Sequence, residues 1–213
     1  MNTLIINAHP DFENENSFSF KLKEMFLDKY KESFSIENLE IINLYNMVIP
    51  RIDRKELLSI WDKKHSNSEL TEKELELSII SDDLLKQFKN ANRIVIVSPL
   101  HNFNITSQLK DYIDNILIAR ETFKYTENGS VGLMTNNHKA LLLQASGSIY
   151  TNNDRYTSLE FSYQYLKGMF EEIMGFDNLY IVRAQGTAIL NEKEVLKDAE
   201  QELSRNFAKF YSK

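Results

Sequence analysis

The chain contains no cysteine. That excludes disulfides, thiolate metal sites and a cysteine nucleophile. Its four histidines, His9, His65, His101 and His138, are scattered with no i, i+4 pair, so a zinc site has no sequence support. There is no surplus of positive charge: the net charge is −6, which disfavours non-specific binding to nucleic acid or an anionic membrane. No apolar run approaches the ~20 residues of a membrane span. The N-terminus, Met1-Asn2-Thr3-Leu4, has no basic segment before its short apolar run, so no signal peptide is expected. These absences predict a cytoplasmic protein, in which the glycosylation-like patterns at Asn104 and Asn128 are accidental. Repeats, low-complexity tracts and an obvious linker are also missing, and residues 1–213 read as one domain. What is present is 42 % hydrophobic residues, enough for a sizeable core, and 26 % charged residues for a soluble surface.

Short β-type runs alternate with helical patterns. Strands are predicted at Thr3–Ala8, Leu39–Leu44, Arg93–Ser98, Ala140–Gln144 and Asn178–Val182. Helices are predicted from Ser17 to about Glu32, Glu56 to Lys64, Ser107 to Leu117, Ser158 to Met174 and Glu192 to Phe210. Thr71-Glu72-Lys73-Glu74 has the pattern of a capping box opening another, which runs to about Asn90. The segment from Tyr45 to Ser68 is the least regular. Five strands interleaved with helices predict an α/β fold: an open doubly wound parallel sheet, helices on both faces, strand order 2-1-3-4-5. In such a sheet ligands sit at the carboxyl ends of the strands beside the switch point.

Three loops therefore matter. The first, His9 to Ser19, ends in Ser17-Phe18-Ser19 at the start of a helix. Free helix amides and two hydroxyls make a phosphate cradle that needs no Lys or Arg. The alternative is that Asn16 or Ser17 simply caps the helix. The loop lacks both the dinucleotide glycine pattern and a P-loop lysine, which favours a mononucleotide. The second, Ser98 to Thr106, begins at Pro99, which stops its strand; its amides could meet the edge of a flat heterocycle beside Phe103, or it is an ordinary turn. The third, Ala145-Ser146-Gly147-Ser148-Ile149-Tyr150, has small residues that let a ligand approach the backbone, or is a plain turn. One flat, phosphate-bearing ligand accounts for all three loops at once. No Gly-x-Ser-x-Gly elbow is present.

Several of these runs carry a resemblance to a known family. Ala8-His9-Pro10 with Ser17-Phe18-Ser19 resembles the start of flavin-dependent quinone reductases. Pro99-Leu100-His101-Asn102-Phe103-Asn104, Gln108 to Asp114, and Thr122 to Gly129 with Gly132-Leu133 resemble the FMN-dependent NADH:quinone oxidoreductases, or azoreductases. The likeness continues through Ser146-Gly147 and Tyr165 to Met174, and is weakest between Tyr45 and Ser68. It implies a flavodoxin-like fold, bound FMN, NADH or NADPH as electron donor, and a quinone or azo compound as acceptor. It implies that His9, Ser17, Phe18 and Ser19 surround the ribityl phosphate. Pro99, Leu100, His101, Asn102 and Phe103 would line the isoalloxazine, and Ala145, Ser146, Gly147 and Ser148 its pyrimidine edge. The family often has an aromatic residue at His101, a second glycine at Ser148 and a histidine at Tyr150, so this chain differs at the flavin's rim.

The resemblance also implies a homodimer, as does an aromatic-rich segment holding Tyr156, Phe161 and Tyr163. The expected mechanism is ping-pong, with amides from Asn102 to Asn104 facing the reacting nitrogen and groups near Ser146 to Ser148 stabilising charge on the reduced ring. No side chain is needed as a nucleophile; His101 and Tyr150 wall the pocket or relay a proton. Two alternatives stand beside it: a flavodoxin-type electron carrier or flavin-bearing regulatory subunit without turnover of its own, and a non-flavin doubly wound module such as a phosphate-dependent regulator.

Overall fold

The computed structural model describes residues 1–212. In chain order it has β1 (Thr3–Asn7), α1 (Phe18–Ser33), β2 (Leu39–Asn43), α2 (Leu57–Ser66), α3 (Glu72–Lys89), β3 (Arg93–Pro99) and α4 (Ser107–Ile116). These are followed by β4 (Phe123–Thr126), β5 (Gly129–Gly132), β6 (Lys139–Ser146), α5 (Phe161–Lys167), β7 (Asn178–Gln185) and α6 (Glu192–Tyr211). The main sheet is parallel in the order β2-β1-β3-β6-β7, which is 2-1-3-4-5 among its own five strands. Between its third and fourth strands the chain inserts the antiparallel hairpin β4-β5, which the sequence did not reveal.

Alternation along the strands divides the core in two. Leu4, Ile6, Ile94, Ile96, Ala140 and Leu142 face α3, α4 and α5, whereas Ile5, Val95, Val97, Leu141, Leu143 and Val182 face α1 and α6. The α1–α6 side carries an aromatic cluster in which Phe26 meets Tyr30, Phe207 and Phe210. Trp61 is half-buried in a cleft lined also by Leu57, Ile60, Leu85 and Ile118. The helix expected over Ser158–Met174 begins later, at Phe161, after a 3-10 turn at Thr157–Leu159. Its far end widens into a π-turn over Gly168–Ile173, where the Met174 amide reaches the Met169 carbonyl at 2.9 Å. That end receives the hairpin: the Met134 amide donates to the Met174 carbonyl at 2.8 Å.

The free side of β7 is covered by side chains. Glu171 accepts the Leu179 amide at 2.7 Å, and the Tyr163 hydroxyl donates to the Leu179 carbonyl at 3.3 Å. Asn206 donates to the Ile181 carbonyl at 2.7 Å, and Glu202 accepts the Arg183 amide at 2.7 Å.

The capping box of α3 forms as the sequence pattern predicts. Thr71 Oγ1 accepts the Glu74 amide at 3.3 Å while Glu74 accepts the Thr71 amide at 2.7 Å. Glu74 also joins Lys63 at 2.6 Å and Ser59 at 2.6 Å, which ties α2 to α3. The Lys63 ammonium, then Ser59 and Thr71, hold the Glu74 carboxyl down at about 2. A carboxylate depressed by folding contributes stability that is complete above its unfolded value of ~4.3 and is lost as pH falls through the folded value. In acid melts, the Tm gap between the wild-type chain and Glu74→Gln should therefore narrow as pH drops from about 5 to about 2. A gap that widens on acidification would contradict the ion pair.

Candidate active site

β1, β3 and β6 are neighbours, so the loops at their carboxyl ends share one edge of the sheet. Three hydrogen bonds tie them together. The Ala8 amide donates to the Val97 carbonyl at 2.8 Å, the Thr106 hydroxyl to the Ala8 carbonyl at 3.1 Å, and the Leu100 amide to the Ala145 carbonyl at 2.8 Å. The expected site residues are thus brought to one place by adjacent strands.

In the first loop, His9 Nδ1 accepts the Asp11 amide at 3.1 Å. A neutral imidazole with an accepting Nδ1 carries its proton on Nε2, which remains a donor. Ser17 is the N-cap of α1, its Oγ accepting the Phe20 amide at 3.1 Å. An accepting hydroxyl still has its own proton to give, so capping and anion binding are compatible. The amides of Phe18 and Ser19 make no hydrogen bond among the described residues. The Ser19 hydroxyl is buried and has no partner there, an orphan that a ligand oxygen would satisfy. The first turns of α3 and α6 carry glutamates, which suit the positive end of a helix, but the first turn of α1 has none. That leaves its end clear for an external anion.

The second loop is a tight two-residue turn. His101 and Asn104 exchange backbone hydrogen bonds of 3.0 Å, with φ at +48° for Asn102 and +67° for Phe103. Such turns ordinarily take Asn-Gly. Asparagine tolerates the left-handed region; phenylalanine does so at a cost of about 1–2 kcal/mol, and the surroundings must impose it. The amides of Asn102 and Phe103 have no partner among the described residues, whereas the Asn104 amide is taken by the His101 carbonyl. The expected trio of donors is therefore a pair. His101 is exposed, and Pro99 and Leu100 are half-buried behind it. Phe103, 40 % exposed, meets Tyr150 edge-on at 6.3 Å, and Tyr150 meets Tyr156 at 6.4 Å. Burial, then Tyr156 and Glu160, pushes the Tyr150 phenol up, so it keeps its proton at neutral pH.

In the third loop Ala145 and Ser146 are buried, and Gly147 and Ser148 exposed. The Ser146 hydroxyl, expected as a ligand donor, is instead committed to the Ser148 carbonyl at 2.9 Å. The amides of Gly186, Thr187 and Ala188 occupy the carbonyls of Ser148, Ser146 and Gly147, each at 3.1 Å. The Gly147 and Ser148 amides are left without partners among the described residues. The edge thus offers an anion cradle and two pairs of free amides, a donor set that fits a phosphate and the carbonyl and nitrogen acceptors of a flavin ring. Sequence reasoning missed Gln144 and Glu160, a buried pair bonded at 2.9 Å next to this loop. The signal available was a lone amide in the apolar run Ala140–Gln144.

Comparison with known proteins agrees with this architecture. The profile of the flavodoxin-like fold family matches residues 1–207. FMN-dependent NADH:quinone oxidoreductase 1 of Lactiplantibacillus plantarum is 54 % identical over 211 residues, 98 % of each chain. The Streptococcus agalactiae FMN-dependent NADH:quinone oxidoreductase is 52 % identical over 213 residues, 100 % of each. The crystal structure of an FMN-dependent NADH-azoreductase from Bacillus anthracis, in complex with FMN, superposes with a TM-score of 0.94 at 51 % identity, with 100 % of both chains covered. The chain belongs to the flavodoxin-like family of FMN-dependent NADH:quinone oxidoreductases, the azoreductases.

Proposed function

We propose that the protein binds FMN and transfers two electrons from NADH or NADPH to a quinone or azo compound. The observation that carries this reading is the juxtaposition, on adjacent loops, of the α1 cradle and the free amide pairs at Asn102-Phe103 and Gly147-Ser148, in a chain whose relatives are FMN-dependent. FMN, when bound, supplies the redox chemistry. The Nε2 proton of His9, the hydroxyls of Ser17 and Ser19 and the amides of Phe18 and Ser19 hold the phosphate. Pro99, Leu100, His101, Asn102 and Phe103 line the ring, and the Asn102 and Phe103 amides donate to its edge. Ala145, Ser146, Gly147 and Ser148 flank the pyrimidine end, where the Gly147 and Ser148 amides stabilise added negative charge. Phe103 and Tyr150 wall one pocket that serves donor and acceptor in turn, which gives ping-pong kinetics. No side chain acts as a nucleophile.

The whole chain works as one domain in the cytoplasm, on small molecules, and as a homodimer. Exposed aromatic surface supports the dimer: Phe161 is 45 % and Tyr125 77 % exposed. Tyr163, by contrast, serves its own subunit through Leu179 and a 5.5 Å stack with Arg183.

Purified protein should be yellow and release FMN on denaturation. NADH alone should bleach it without air, and a quinone should restore the colour. Double-reciprocal plots at several quinone concentrations should be parallel; intersecting lines would replace the shared pocket with a ternary complex. A protein that binds FMN yet turns over no quinone would be an electron carrier instead. Sedimentation of a fully active, flavin-loaded monomer would overturn the dimer.

A further inference from the structure

The Asn102-Phe103 turn has one hydrogen bond to a distant segment among the described residues: the Phe161 amide donates to the Phe103 carbonyl at 2.9 Å. Phe161 is the first residue of α5, and the residue before it, Glu160, is the N-cap. Glu160 is 5 % exposed, and its Oε1 accepts two hydrogen bonds, from the Tyr163 amide at 2.9 Å and from Gln144 Nε2 at 2.9 Å. Gln144 is 2 % exposed and lies in β6 immediately before Ala145 to Ser148. No cation pairs with Glu160 among the described residues. A buried carboxylate with only amide donors is costly unless its geometry is needed.

The connection runs without a break from β6, through Gln144 and Glu160, to Phe161 and the Phe103 carbonyl. It links the rigid strand beneath one set of free amides to the strained turn that holds the other. A phenylalanine at φ +67° relaxes to a commoner conformation unless something restrains it; the His101–Asn104 bonds close the turn from within, and the Phe161 amide restrains it from outside. Capping the short α5 needs only one side-chain acceptor, and serine or aspartate would serve. The longer glutamate reaches Gln144 as well, and so fixes the start of α5 against the sheet.

We propose that Glu160 is a positioning residue, which with Gln144 clamps the start of α5 and, through Phe161, holds the Asn102-Phe103 turn in its ligand-ready shape. The inference rests on the FMN reading for its consequence, but the clamp itself is a property of the chain without cofactor. Two variants separate the clamp from helix capping. Glu160→Gln keeps an oxygen for both donors. Glu160→Ser keeps the cap on Tyr163 and is too short to reach Gln144.

The experiment measures amide hydrogen exchange of the flavin-free protein at Phe161, whose amide makes the tether, together with FMN affinity from fluorescence quenching and the FMN midpoint potential. In Glu160→Ser, exchange at Phe161 should rise roughly tenfold or more, as expected for a tether weakened by the order of one hydrogen bond. FMN should bind roughly tenfold more weakly, and its potential should shift because the donors at the ring edge are displaced. Glu160→Gln should stay close to wild type in exchange and affinity. Wild-type exchange, affinity and potential in Glu160→Ser would overturn the clamp. If the wild-type chain takes up no FMN, the FMN reading fails, and the exchange contrast between the two variants still decides the clamp. Equal loosening in both variants would also overturn it, since the proposed hydrogen bonds survive in Glu160→Gln.

Discussion

Ser17→Asp should leave α1 intact and abolish FMN binding. Aspartate caps a helix about as well as serine and suits the positive end of its dipole, so folding and Tm should be preserved. The new carboxylate, however, sits where the phosphate is placed. Two like charges about 4 Å apart repel by about 4 kcal/mol at an effective dielectric near 20, and a hydroxyl donor worth about 1.5–3 kcal/mol to a charged oxygen is lost as well. FMN affinity should fall by at least about 10³-fold. Riboflavin, which lacks the phosphate, should bind nearly as it does to the wild-type chain. Replacing Ser17 and Ser19 together by alanine is milder: it removes two donors without adding charge, and a loss of roughly a hundredfold or more is expected. Fluorescence titration with both flavins reads all of these. An unchanged FMN-to-riboflavin preference in Ser17→Asp would place the phosphate elsewhere.

Gly132→Ala should be the most damaging single-methyl change in the chain. A Cβ at Gly132 would lie 2.4 Å from Met174 C, Met174 O and Gly175 N, all of them backbone atoms. Backbone on the π-turn side cannot swing aside as a side chain could, so the hairpin must shift and weaken the bond from the Met134 amide to the Met174 carbonyl. Overpacking of this kind costs about 3 kcal/mol or more. For a chain of this size that corresponds to a drop of roughly 6–12 °C in Tm. Gly168→Ala is the control. It lies in helical conformation with nothing within 4 Å of the added carbon, and should be neutral or stabilising by up to about 1 kcal/mol. Calorimetry showing equal melting for both variants would refute the close contact.

Both predictions depend on features that differ in how far the sequence announces them. The Thr71-Glu74 capping box and the apolar core strand Ile94–Val97 are local patterns, and they fold as read. Ser17 is legible because a hydroxyl before an amphipathic run has few other uses. The β4-β5 hairpin is not legible: its strands have four residues each, Tyr125 and Val131 are exposed, and its position depends on Met174, far along the chain. The Asn102-Phe103 turn runs against local preference, since no rule of propensity puts phenylalanine at positive φ. It is closed by the His101–Asn104 bonds and tied down by the Phe161 amide, a distant partner that only the folded chain supplies. The same holds for Ser146, whose hydroxyl looked available until the Ser148 carbonyl claimed it.

The side-chain cover on β7 bears on what happens when copies of the chain meet at high concentration. An open strand edge is the usual template on which a sheet grows into a fibril. Here that border is already occupied: Glu171, Tyr163, Asn206 and Glu202 hold four of its peptide groups. A strand from another molecule would have to displace them, two from buttressing positions on α6 itself. Resistance to fibril growth at this border is therefore coupled to the docking of α6. Conditions that loosen that helix while the sheet survives would uncover the edge first, and aggregation would set in before the core melts.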